Sequence, residues 1–152
     1  NLGAVRIRLR SLLGALEAGL AFANSSVALV HGMARPLGAK FGVPHGLSNA
    51  MLLKTVTAFS LSGDPHGYAQ LARAMGGDAA GCDDMAAALL PPLLDDLAAR
   101  LKIPRLRERV GREELDAQCE TMVREALASG SPANNPREAG PEDIARLYRE
   151  AW

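Results

Sequence analysis

Leu9, Leu12, Leu13, Leu16 and Leu20 recur at steps of three and four residues, the spacing of one face of an α-helix. The period predicts a long helix from about Val5 to Arg35. Small residues share the stretch (Gly14, Ala15, Ala18, Gly19, Ala21, Ala23), which suggests close packing on several sides, deep in a bundle. Pro36 is expected to end this helix, because proline cannot donate the helical hydrogen bond and biases Arg35 away from helical geometry. Leu37 to Gly46 holds three glycines and Pro44 and reads as a loop. A second apolar helix is expected from Leu47 to Leu61, and a short one from Tyr68 to Met75, stopped by Gly76-Gly77. A further helix should run from Asp83 to Leu101, where Pro91-Pro92 must kink or split it. Glu113 to Ala128 is amphipathic, with Leu115, Cys119, Met122, Val123 and Leu127 inward. Gly130 to Gly140 reads as a loop, and Pro141-Glu142-Asp143 starts a last short helix. No segment alternates as a strand, so the fold class is all-α, a helical bundle.

Composition agrees. Hydrophobic residues make up 48% of the 152 residues but aromatics only 4%, so the apolar content is mostly Ala, Leu, Val and Met, with few β-branched residues. That length suits one domain, residues 1–152. Basic and acidic residues balance at 17 each. A neutral chain has no electrostatic reason to bind nucleic acid or an anionic membrane. No apolar run reaches the ~18 residues of a membrane span, and Asn1-Leu2-Gly3 does not begin a signal peptide. Cys82 and Cys119 form no CxxC pair, so reduced thiols and a cytoplasmic location are expected.

The chemistry concentrates between His31 and His45. Two of the three histidines flank one Gly/Pro-rich stretch, His31-Gly-Met-Ala-Arg35-Pro36-Leu-Gly38-Ala-Lys-Phe-Gly42-Val-Pro44-His45. A chain that turns back there can bring both imidazoles to one point. Imidazole is the commonest zinc ligand and suits iron. Two ligands are too few for a closed site, and no carboxylate lies in the stretch. A metal-ligand pair and two satisfied histidines at a buried turn both remain open on spacing alone. Other candidates read as structural. His66 is expected in an exposed turn, Ser25-Ser26 bonded to backbone, Asp83-Asp84 at a helix start and Asp95-Asp96 on a solvated face.

The run from Gly19 through His31-Gly-Met-Ala-Arg-Pro-Leu-Gly to Pro44-His45-Gly46 and Asn49-Ala50 resembles the signature of the iron-containing (group III) alcohol dehydrogenases. Ile103-Pro104 with Val110-Gly111, then Asn134-Asn135-Pro136-Arg137, Glu142-Asp143-Ile144 and Leu147-Tyr148, resemble later stretches of that family. The likeness covers essentially the whole chain. It implies the C-terminal, metal-binding helical domain of a dehydroquinate synthase-like two-domain enzyme, whose nucleotide-binding domain is expected to lie outside this chain. It further implies hydride transfer between an alcohol and a carbonyl, with Fe2+ or Zn2+ and NAD or NADP, a small-molecule alcohol or carbonyl as partner, and a homodimer as a candidate assembly. His31 and His45 would be two of four metal ligands, the others an upstream Asp and His not found here. Phe22 matches an aromatic that faces the substrate pocket. Arg35 stands where the family usually has a third histidine, close to the nicotinamide and often given a proton-relay role. Arg cannot titrate near neutral pH, so Arg35 is expected to hold an anionic group of substrate or cofactor, or to pair with a carboxylate of the other domain. Maleylacetate reductase-like reduction of an oxo-acid, dehydroquinate synthase or glycerol dehydrogenase chemistry, and a non-catalytic helical interaction domain are the competing readings.

Overall fold

Helices α2 (Leu29–Phe41), α3 (His45–Ser60), α7 (Arg112–Ala128) and α8 (Pro141–Ala151) pack into one bundle. The computed structural model describes residues 2–77 and 81–152; Asn1 and residues 78–80 lie outside that description. No strand occurs among the described residues.

The core is the sum of the helices' inward faces. α2 contributes Leu29, Met33, Ala34 and Leu37, and α3 contributes Met51, Leu52, Val56 and Phe59. From α7 come Leu115, Cys119, Met122, Val123 and Ala126, and from α8 come Ile144, Leu147 and Tyr148. α6 (Leu90–Arg100) packs on α3, and α4 (Pro65–Ala74) packs on α5 (Asp83–Ala87) around Ala69, Ala86 and Ala87. Acceptors sit where helices start. Asp64 accepts from the Gly67 amide at 2.9 Å, and Asp143 accepts from the Gly140 amide at 3.2 Å.

Three expectations need correction. The helix drawn from Val5 to Arg35 is two helices, α1 (Leu2–Ser25) and α2, whose axes differ by 104°. Ser26 makes the corner in the left-handed region at φ 63°. No glycine or proline marks it, so sequence punctuation could not.

The second correction concerns Pro36, which lies inside α2 rather than ending it, so residues 37–41 are helical and not loop. An interior proline costs about 3 kcal/mol. Met33, Pro36 and Leu37 are all buried, and each fully buried large apolar side chain returns about 1.5–3 kcal/mol. Burial outweighs the break.

Third, α1 is not deep in a bundle. Every residue from Gly3 to Ser26 is exposed, with Leu12 at 67% and Leu16 at 60%. The period marks an apolar stripe, and nothing in the described residues covers it.

As expected, the helix over Asp83 to Leu101 is split at Pro91 and Pro92. α5 ends at Ala87, and the prolines fall in the first turns of α6, where no intrahelical donor is needed. The expected loop after Gly130 also holds a short 3-10 turn, Ser131–Asn134. Both cysteines are free, Cys82 exposed and Cys119 buried. Among the described residues, no single helix is long and apolar enough to cross a membrane.

The asymmetry between α1 and α2 gives a direct test. Leu37→Ala should lower the unfolding free energy of this chain by about 2–5 kcal/mol in urea titration. Leu12→Ala should change it by no more than about 0.5 kcal/mol. Equal losses would mean that α1 is packed after all.

Candidate metal centre

His31 lies in the first turn of α2 and His45 opens α3, so each imidazole is carried near a helix start. The expectation that His31 sits near the end of its helix is thereby reversed. Their convergence comes from the connection. α2 ends at Gly42, left-handed at φ 65°, and only Val43 and Pro44 separate it from α3. The connection doubles back along α2. The Val43 carbonyl lies 2.9 Å from where a Cβ on Gly38 would stand. Only glycine at position 38 leaves room for that close approach. The ring centroids of His31 and His45 consequently stand 5.5 Å apart, tilted by 53°.

His31 is half-buried and His45 is exposed. Burial, then the neighbouring His45 and Arg35, push the His31 pKa below its ordinary value of 6.5. The neutral ring, with a free lone pair, is therefore the favoured form at neutral pH. The Asn49 amide, one turn after His45, donates to the His45 carbonyl at 3.0 Å and sits 3.2 Å from His45 Nε2. The part that Nε2 plays in that contact depends on the His45 tautomer. Asn49 Oδ1 is the one buried polar side-chain atom left without a partner among the described residues. Sequence reading missed Asn49, although its spacing of one helical turn from His45 was available as a signal.

Arg35 follows His31 by one helical turn, on the same face, and is exposed. Its guanidinium makes no hydrogen bond or ion pair among the described residues, whereas Lys40 pairs with Glu125 at 3.0 Å and Lys54 with Asp95 at 3.0 Å. Phe22 is not core: it stands on α1, across the bend, and is 57% exposed. His66 is exposed as expected, bonding Asp83 through Nδ1 at 2.7 Å. Ser25 bonds the Ala21 carbonyl at 2.6 Å.

The donor set fits half of a metal site. Two imidazoles, one with a depressed pKa, offer nitrogen donors to a borderline divalent ion. Among the described residues no third His, Cys, Asp or Glu joins them. A closed site needs three or four ligands.

Two measurements probe this geometry. In an NMR titration of this chain, the His31 ring protons should move with a midpoint below 6.5, and His45→Ala should bring it partway back. Since the unfolded ring binds its proton at higher pH than the folded one, the stability due to His31 is complete above pH 6.5 and is lost as pH falls through the folded midpoint. A midpoint at or above 6.5 would contradict the burial argument. Gly38→Ala should displace the Val43 carbonyl and abolish ring-to-ring nuclear Overhauser contacts between His31 and His45. Contacts of undiminished strength would show that the fold-back does not set their spacing.

The sequence profile of the Fe-containing alcohol dehydrogenase family, C-terminal part, matches residues 3–152. Among curated relatives, 1,3-propanediol dehydrogenase of Citrobacter freundii is 36% identical over 138 residues, 90% of this chain and 35% of that protein. Lactaldehyde reductase of Escherichia coli K12 is 36% identical over 146 residues, 92% and 36% of the two chains. 1-Propanol dehydrogenase of Salmonella typhimurium is 39% identical over 139 residues, 88% and 37%. The chain thus spans about a third of the length of these relatives. A crystal structure of 1,3-propanediol oxidoreductase superposes with a TM-score of 0.83 at 33% identity, covering 89% of this chain and 35% of that one. An alcohol dehydrogenase from Oenococcus oeni superposes at 0.81, also with 33% identity, over 89% and 35%. An all-helical chain with this match along nearly its whole length belongs to the Fe-containing alcohol dehydrogenase family, as its C-terminal domain.

Proposed function

We propose that this chain is the metal- and substrate-binding part of a nicotinamide-linked oxidoreductase that moves hydride between an alcohol and its aldehyde or ketone. His31 and His45 serve as two ligands of a divalent ion. The observation that carries the reading is the convergence of the two rings at 5.5 Å, across a glycine-dependent fold-back. Iron is the ion named in the family description, and imidazole nitrogen suits it. When bound, the ion supplies Lewis acidity toward the alcohol or carbonyl oxygen.

The residues of the chain then divide the work. His31 favours its neutral form because burial, then the neighbouring His45 and Arg35, disfavour the imidazolium, so its lone pair is available. Asn49 restrains the orientation of His45. The remaining ligands and the nucleotide-binding domain belong to the part of such enzymes that this chain does not span. The uncovered leucines of α1 offer an apolar face against which that part can pack. Phe22, on the same helix, reaches the substrate side of the interface.

The relatives named for propanediol, propanol and lactaldehyde favour a short aliphatic alcohol or aldehyde as substrate. A second reading, reduction of an oxo-acid in the manner of maleylacetate reductase, draws on Arg35. Its unpaired guanidinium, one turn from His31, suits a carboxylate on a substrate whose reacting oxygen is held near the histidines.

In the enzyme carrying both domains, His31→Ala and His45→Ala should each remove stoichiometric metal and abolish alcohol oxidation. Retention of metal in both variants would refute the ligand assignment. Residues 1–152 alone, with two ligands, should show no turnover. Arg35→His should lower kcat/KM for an oxo-acid by about tenfold, the worth of about 1.4 kcal/mol, while leaving 1-propanol unaffected. The same ratio of the two substrates before and after the change would eliminate the carboxylate role.

A further inference from the structure

His31 is bracketed by two hydrogen bonds from distant parts of the chain, one to the corner before α2 and one to α2 itself. Upstream, the Asn134 side-chain amide donates to the Val27 carbonyl at 2.9 Å. Downstream, the Tyr148 hydroxyl donates to the Met33 carbonyl at 2.7 Å. Between them, Pro132 lies against Gly32. A Cβ on Gly32 would stand 3.1 Å from Pro132 Cδ and 3.3 Å from Ser129 Oγ. The residue directly after His31 is thus a glycine that lets the Ser131–Asn134 turn press onto the helix.

The bracket acts where α2 is weakest. Ala28, its N-cap, provides no side-chain acceptor, so the first-turn amides lack the usual restraint against fraying. The corner before it turns through 104° at a serine held in left-handed geometry. His31 projects from this turn, whose local restraint is the Ala28 carbonyl, accepting from the His31 amide at 3.1 Å and the Gly32 amide at 3.2 Å. Asn134 pins the corner and Tyr148 pins the next carbonyls of the helix. Tyr148 is fully buried, and burial pushes its hydroxyl pKa far up, so the donor keeps its proton.

We infer that Asn134 and Tyr148 are positioning residues that hold His31 at the spacing from His45 required to take a divalent cation. The inference rests on the proposed ligand role of those histidines and adds the outer restraints that set it. Outer partners of metal ligands commonly govern affinity by ten- to a hundredfold.

The test uses the two-domain enzyme, stripped of metal and reloaded with Co2+. Tyr148→Phe keeps the buried ring and removes only the donor. Asn134→Asp keeps the size and removes the amide donor. Each should weaken Co2+ binding at least tenfold in chelator competition and shift the ligand-field absorption bands. A purely structural role would lower Tm but leave affinity and bands as in the parent, and that result overturns the inference. If His31→Ala binds Co2+ as tightly as the parent, the metal-site reading itself fails and the bracket falls with it. If His31→Ala loses Co2+ while Tyr148→Phe and Asn134→Asp do not, the bracket alone is wrong.

Discussion

Between Phe41 and His45 the chain has only Gly42, Val43 and Pro44 in which to leave one helix and enter the next. It uses them to run back along α2, with the Val43 carbonyl filling the space that a side chain at position 38 would take. Everything at the candidate centre depends on that contact. A looser turn would start α3 far from the first turn of α2 and leave His31 and His45 at opposite ends of a hairpin. The left-handed Gly42 sets the direction of the return and Gly38 sets its closeness.

A fold-back holds two side chains together only if the helix beneath it is rigid. α2 carries a proline in its interior and no cap at its start, two defects that local propensity would penalise. Tertiary contacts compensate for both. Leu29, Met33 and Leu37 are fully buried against the neighbouring helices, while the Tyr148 hydroxyl and the Asn134 amide hold carbonyls on either side of the site. The helix that bears His31 is therefore stable because of the bundle and not because of its own sequence. This dependence explains why residues near the C-terminus, remote in sequence from the histidines, bear on their geometry.

The same dependence marks what sequence reading can reach. The inward faces of α7 and α8, the splitting effect of Pro91 and Pro92, and the Pro-acidic start of α8 follow from period and capping chemistry, which are local. The pairing of His31 with His45 was legible because glycines and prolines announce a turn between two ligand-type residues. The corner at Ser26 was not, because no residue there prefers a left-handed backbone. The persistence of α2 through Pro36 was hidden for a related reason: its stabilisation comes from Tyr148 and the α7 packing face, far along the chain. The exposure of α1 was misread because a helical apolar stripe reports a face that packs, without saying against what.

That last error and the shortfall of metal ligands have one physical form. α1 presents apolar surface that no described residue covers, and the two imidazoles present nitrogens that no third ligand among the described residues joins. Exposed leucines carry a solvation cost that burial would relieve, and a two-ligand site binds a divalent ion weakly until further donors arrive. If a second domain supplies both the cover and the donors, its docking free energy and the ion's binding free energy become linked, and each raises the other. The ion would then be held most tightly when the domains are engaged, which is when a substrate oxygen between them needs polarising. A bundle that kept all its ligands to itself would bind the ion independently of the cleft and lose that coupling.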